Sequence, residues 1–335
     1  MPVLNCVILA AGKGTRMRSK TPKIAHPIMG RPMIRYVVAA ARELEPATII
    51  VVTGHESETV KTCLAEDRVL YALQAEQRGT AHALLSAESL LADSGDVLVL
   101  YGDVPLIKAS ILRAFMESFW QSQGIAFMCT RVDRPEGYGR VITDGSGDIV
   151  DIVEDSEATG QVRAIDLINT GICMIRRNLL GLVKSVTPEN RKGEYYLTDI
   201  CKIAKERGIK VRAHLHPEPS EVLGINTRRE LMEANVLVRN AILDRHMDGG
   251  VTLADRTIYI EGDVAIGSDT TISPYCYLIG RTEIADEVTI GPHVFIKDSK
   301  IAKGAVVEGF AFLDGASVKE GARIAAFSRI EREAG

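Results

Sequence analysis

Gly12, Lys13, Gly14, Arg16 and Lys23 fall within twelve residues near the amino terminus, preceded by Leu9-Ala10-Ala11. Glycine lets backbone N–H groups close on an anion with no Cβ in the way, and Lys13, Arg16 and Lys23 can neutralise several negative charges at once. That combination suits a phosphate. The run Val7-Ile8-Leu9 is short and apolar, so it reads as a buried strand opening into the glycine turn. Neither of the two common phosphate loops fits the spacing. A dinucleotide fingerprint would need glycine where Met17 stands, and a Walker A loop would have four residues between its first glycine and Gly-Lys. This loop must hold phosphate in another way.

Further short motifs follow in order. They are Gln74-Ala75-Glu76-Gln77-Arg78-Gly79-Thr80, Leu100-Tyr101-Gly102-Asp103-Val104-Pro105, Gly137-Tyr138-Gly139-Arg140, Asn169-Thr170-Gly171, Gly193-Glu194-Tyr195-Tyr196-Leu197-Thr198-Asp199 and Gly224-Ile225-Asn226. Each has an ordinary reading. Asp103 could be a turn residue before Pro105, Asn226 a cap on a helix beginning at Arg228, and Lys23 a solvated loop charge. Gln74 and Thr80 flank a helix start and could be caps, and Glu154 could belong to a solvated acidic face with Asp148, Asp151, Asp155 and Glu157. His26, His55 and His82 read as structural.

Taken together and in register, the seven motifs resemble the sugar-phosphate nucleotidyltransferases. Over residues 3 to about 230 they are most similar to the uridyltransferase domain of the bacterial N-acetylglucosamine-1-phosphate uridyltransferases. The resemblance implies uridylyl transfer from UTP to N-acetylglucosamine 1-phosphate, with release of pyrophosphate. It implies Mg²⁺ held by Asp103 and Asn226, and Arg16 and Lys23 as catalytic cations. Nucleotide contacts would come from Leu9, Ala10, Ala11, Gly12, Lys23, Gln74, Gln77, Gly79, Thr80, Tyr101 and Gly102. Sugar contacts would come from Asp103, Gly139, Glu154, Asn169 and Asn226. Such a reaction rests on positioning and charge neutralisation, and it needs no general base, because a phosphomonoester with a second pKa near 6 is largely dianionic at pH 7. Sister transferases that use glucose 1-phosphate with other nucleotides share the loop and the aspartate; residues 74–80 resemble the uridyltransferase version. A non-catalytic assembly subunit is the alternative from another class, and the presence of Arg16, Lys23, Asp103 and Asn226 argues against it.

These residues need a scaffold. Through about residue 228 the sequence alternates apolar strand-like runs, at 7–9, 49–53 and 97–101, with helical stretches near 33–44, 57–66 and 79–91. Continuously apolar runs are expected of strands buried on both faces, so the pattern predicts a doubly wound, mostly parallel α/β sheet with its ligand site beyond the carboxyl ends of the strands. A helix is expected from about Thr227 to Met247. Beyond it Ile260, Ile266, Ile272, Leu278, Ile284, Ile290 and Ile296 recur every six residues, and the phase slips near Lys300. A six-residue period predicts a parallel β-helix of about four coils, which the family resemblance makes left-handed. The expected organisation is a nucleotidyltransferase domain over 1–227, a linker helix over 228–250 and a β-helix over 251–335.

A formal net charge of −4, from 40 basic and 44 acidic residues, offers no broad positive field for nucleic acid or an anionic membrane. Six cysteines are scattered singly, which fits a reducing, cytoplasmic setting, and no run approaches the length of a membrane span. The chain's Ala325–Glu331 segment differs from its family counterpart, so acetyltransferase activity, which the family carries on later coils, is not expected. A homotrimer built through the β-helix is the assembly the resemblance implies.

Overall fold

The computed structural model describes residues 3–12, 14–122 and 124–332. Two compact units are formed: Met1–His26 with Pro32–Arg228, and Pro27–Arg31 with Arg229–Gly335.

The first unit is built on one mixed sheet whose central strand, Leu4–Leu9, pairs in parallel with Thr48–Thr53 on one side and Asp96–Tyr101 on the other. Leu70–Leu73 extends one edge. Beyond Asp96–Tyr101 come Leu167–Ile175, which is antiparallel to both its neighbours, then Ile125–Arg131 and Val211–Leu215. Alternate residues of the central strands feed two separate cores: Cys6, Ile8, Leu98 and Leu100 on one face, Val7, Leu9, Val97 and Val99 on the other. That two-sided burial is why these strands read as unbroken apolar runs. Helices Met33–Arg42 and Ala109–Trp120 cover the first face through Ile34, Val37, Val38, Leu112, Phe115 and Phe119; Thr80–Ser86 and Ile200–Glu206 cover the second through Ala81, Leu84, Ile200, Cys201 and Ala204. The chain leaves the central strand to one side and returns on the other, so the loops after Leu9 and after Tyr101 meet at the crevice where such folds bind ligands.

Leu167–Ile175 carries one irregularity that matters to the site. Its register with Ile125–Arg131 shifts between Asn169 and Cys173, and Gly171 sits there at φ 89°. A Cβ on Gly171 would lie 2.6 Å from the Tyr101 ring, so the bulge needs glycine for both its backbone and its packing.

In the second unit the helix Arg228–Asp248 leads into short strands arranged as three parallel sheets of five, five and four. Ile258, Ile260, Ile272, Leu278, Ile290, Ile296, Val307 and Leu313 fill the interior. This is the architecture expected of a left-handed β-helix, and the described residues extend it from Thr252 to Glu331. The phase slip expected near Lys300 is a shortened turn: Tyr277 pairs with Phe295, eighteen residues on, whereas Glu283 pairs with Lys300, seventeen on. Buried Ser299 repairs that turn, donating to the Lys297 carbonyl at 2.6 Å and accepting the Ala316 N–H at 3.0 Å. At one corner Tyr275, His293, Phe310 and Phe327 all adopt φ near +60° and stack with ring centroids 4.9 to 5.1 Å apart. The segment Pro27–Arg31 belongs to this unit: the Met29 N–H donates to Asn235 Oδ1 at 3.0 Å, and a side chain on Gly30 would collide with Glu261.

Candidate active site

Where the parallel strands of the first unit end, a cleft of about 440 Å³ opens. Leu9, Ala10, Ala11, Gly12, Lys23, Gln74, Gln77, Gly79, Thr80, Tyr101 and Asp103 line it, together with Glu194. Eleven of the residues assigned to the site in the sequence thus line one cleft, with Gly14 of the glycine loop beside them. Gly102 does not line the cleft. It packs beneath it, its N–H donating to the Leu9 carbonyl at 3.0 Å. Lys13 lies outside the described residues.

Local geometry explains several residue choices. Gly14 is left-handed, at φ 57°, and a Cβ there would meet the Lys23 Cβ at 2.5 Å, so the loop folds tightly onto the lysine stem. Gln77 Nε2 donates to the Ala11 carbonyl, and Gly54 makes room for that bond, since a Cβ would stand 2.8 Å from the amide nitrogen. Gly79, at φ 109°, approaches the Tyr195 backbone, with a hypothetical Cβ 2.7 Å from its nitrogen. The neighbouring backbone bonds, Tyr195 N–H to the Arg78 carbonyl at 2.7 Å and Ala81 N–H to the Tyr195 carbonyl at 2.9 Å, stitch two distant motifs into one wall. Gln74 is buried, and its Nε2 lies 3.0 Å from the Gly79 carbonyl and 3.1 Å from His82 Nδ1. Thr80 Oγ1 accepts the Leu197 N–H at 2.9 Å. Neither side chain caps the helix Thr80–Ser86. Burial foremost, then nearby negative charge from Glu154 and Asp103, pushes the Tyr101 phenol far above its ordinary value, so it is a neutral hydroxyl throughout the working pH range.

At one end of this cleft four side chains from three loops converge. Lys23 Nζ donates to Asp103 Oδ2 and, at 3.0 Å, to Asn226 Oδ1. Arg16 Nη2 donates to the same Asn226 oxygen at 2.8 Å. The Asn226 amide is oriented by its own Nδ2, which donates to the Gly224 carbonyl at 3.0 Å. Gly224 lies against the Asp103 carboxylate, where a Cβ would be only 3.2 Å away, and the Ile225 N–H donates to the Asp103 carbonyl at 2.8 Å.

Gly139, Glu154 and Asn169 do not line the cleft. They form a second cluster, joined to it through Tyr101, whose ring packs on Gly171. The Asn169 N–H donates to the Gly139 carbonyl at 2.9 Å, and Asn169 Oδ1 accepts the Gly171 N–H at 3.0 Å. Glu154 is largely buried, and burial raises its carboxyl above the ordinary range, partly opposed by Thr198 Oγ1, which donates to it at 3.1 Å. A solvated acidic face is therefore not what these carboxylates form: Asp148 and Asp155 are also turned inward, toward Arg212 and the fully buried Arg140.

Five residues around these clusters carried no site role in the sequence: His82, read there as structural, beside Gln74, Gly171 under Tyr101, Glu194 on the cleft wall, Thr198 on Glu154 and Gly224 behind Asp103. Four lie in or next to the recognised motifs, but what each touches lies far away in sequence. Among the histidines expected to be structural, His26 lies 3.4 Å from Arg228 and His55 borders a smaller cavity beside Gln77.

Residues 6–195 match the family of MobA-like NTP transferase domains, and residues 263–298 match the bacterial transferase hexapeptide repeat. With the loops just described at the carboxyl ends of its sheet, the first unit is a nucleotidyltransferase. The whole chain is similar to proteins named bifunctional protein GlmU. It is 39% identical to that of Thermoanaerobacter pseudethanolicus over 99% of this chain and 73% of the relative. It is 41% identical to that of Stutzerimonas stutzeri over 98% and 72%, and 40% identical to that of Caldanaerobacter subterraneus subsp. tengcongensis over 99% and 73%. The chain belongs to the GlmU family.

Proposed function

We propose that this chain transfers a uridylyl group from UTP to N-acetylglucosamine 1-phosphate, forming UDP-N-acetylglucosamine and pyrophosphate, with Mg²⁺ as the metal. The observation that carries this reading is the convergence of Arg16, Lys23, Asp103 and Asn226 at one end of a cleft walled by Gln74, Gly79 and Thr80. Asp103 and Asn226 suit a hard divalent cation, because two oxygen donors from different loops already face a single cationic atom, Lys23 Nζ. A cation held there would supply charge neutralisation to the reacting phosphates.

The protein's own groups do the rest. Lys23 and Arg16 bring positive charge to the phosphates, where attack of the sugar-phosphate oxygen on the α-phosphorus and departure of pyrophosphate concentrate negative charge. Gln74, its Nε2 engaged by Gly79 and His82, presents Oε1 as an acceptor suited to the imide N–H of uracil. Glu154 accepts from sugar hydroxyls, and Asn169, with Oδ1 occupied by Gly171, donates from Nδ2 toward the acetamido group. Gly139 lets the sugar approach the backbone. The hexapeptide unit is proposed to assemble the chain as a trimer, and sedimentation as a clean monomer would refute that part.

Pyrophosphate release with Mg²⁺, UTP and N-acetylglucosamine 1-phosphate tests the reaction, run beside dTTP, ATP, GTP and glucose 1-phosphate. Release with the proposed pair alone is expected. Release confined to another pair would move the chain to a sister specificity, and release with none would sink the proposal.

A further inference from the structure

Lys23 does more in this structure than face a nucleotide. Its ammonium donates to the Asp103 carboxylate and lies 3.0 Å from Asn226 Oδ1, so it stands where both oxygens proposed as metal ligands point. Arg16 shares the Asn226 oxygen at 2.8 Å. The arrangement is held from behind: Asn226 Nδ2 is bound to the Gly224 carbonyl, and the Ile225 N–H to the Asp103 carbonyl. The Lys23 and Asp103 side chains are only 13% and 17% exposed, so water screens the pair weakly. A dication and this ammonium cannot share the two oxygens, since like charges at such separations repel by several kcal/mol even at an effective dielectric of about 20.

The same lysine lines the nucleotide cleft, and the base of its stem packs against Gly14, where there is no room for a Cβ. A four-carbon chain with a compact charge can swing from one anion to another without moving the backbone.

We propose that Lys23 is an internal cation that holds the metal position shut in the ligand-free protein, and that a nucleotide's phosphates open it by drawing the ammonium away. This rests on Asp103 and Asn226 being the metal ligands. Divalent cation binding is then contingent on nucleotide, and by linkage nucleotide binding is strengthened by the cation to the same degree. The free protein is thereby kept from loading a metal with no phosphates to bridge.

Binding of Mn²⁺, read from the electron paramagnetic resonance of the free ion, tests this on the full chain. Without nucleotide, Lys23→Met and Lys23→Gln are expected to bind Mn²⁺ at least about tenfold more tightly than the unmodified chain. Adding UTP, with no sugar phosphate present to react, is expected to close that gap. Lys23→Gln keeps a hydrogen-bond donor toward Asp103 and serves if the methionine variant does not fold. Equal Mn²⁺ affinity of all three chains without nucleotide would overturn the lock and leave the ligand reading standing. Mn²⁺ binding unchanged by Asp103→Ala in the Lys23→Met background, or no Mn²⁺ binding even with UTP, would overturn the ligand reading and the lock together.

Discussion

The two units of this chain tolerate irregularity in opposite ways. In the β-helix a strand's partner lies nineteen, then eighteen, then seventeen residues on, as Thr252 with Thr271, Tyr277 with Phe295 and Phe312 with Arg329 show, and the ladder continues undisturbed. Each coil needs only an apolar residue in phase, and a turn absorbs the lost position. In the α/β unit nothing repeats. Residues 16, 23, 103 and 226 are linked through two atoms, Lys23 Nζ and Asn226 Oδ1, and an error of an ångström at any of them would move the charge the chemistry depends on. A periodic fold spreads its information over many equivalent contacts, whereas a site concentrates it in a few.

The sharpest test of that contrast is Asp103→Ala, expected to lower turnover by about a thousandfold or more, with the first unit's unfolding transition little changed; pyrophosphate release and circular dichroism would measure both. A comparable deletion in the repeat should strike stability instead. Ile290→Ala, at a fully buried position between Ile272 and Val307, is expected to cost about 2–4 kcal/mol. Denaturant titration should show a transition of the second unit shifting while that of the first stays in place; one merged shift would break the contrast.

Glu154 sits between these extremes, because it is proposed to serve binding while opposing stability. Burial raises its carboxyl above the ordinary 4.5, so the native state holds that proton more tightly than the unfolded chain. The stabilisation this gives is whole below pH 4.5 and is lost as pH rises through the raised native value, above which the group is ionised and poorly solvated. Glu154→Gln is expected to raise Tm at pH 7 by about a degree or two, to flatten the pH dependence of stability above 4.5, and to raise the KM for sugar phosphate about tenfold. Thermal melts across pH, set beside initial rates, would check the opposed signs. The smallest effect is expected at the outer aromatic corner: Phe327, 76% exposed, stacks among the described residues only on Phe310, and Phe327→Ala should cost less than about 1 kcal/mol by denaturant titration.

Much of this architecture was legible in the sequence because it follows from local pattern. The six-residue period and its slip near Lys300 gave the β-helix, and the two-sided apolar runs gave the parallel strands. The glycine loop and the aspartate after Tyr101 were placed correctly at the strand ends. What the sequence did not display were contacts made across distance. The bulge at Gly171 is invisible until Tyr101 is known to lie over it, and Thr198 gains meaning only beside Glu154. Nor does any period mark Pro27–Arg31 as part of the second unit, because its partners Asn235 and Glu261 come more than two hundred residues later.

That short segment has a consequence for how the protein is made. Synthesis proceeds from the amino terminus, so the residues just after Lys23 leave the ribosome long before Asn235 and Glu261 exist. The first unit can acquire its sheet during translation, but Pro27–Arg31 must wait, unpacked, until more than two thirds of the chain has been made. During that interval it is the part of the nascent chain where a chaperone or a protease would find exposed backbone beside an otherwise folded unit.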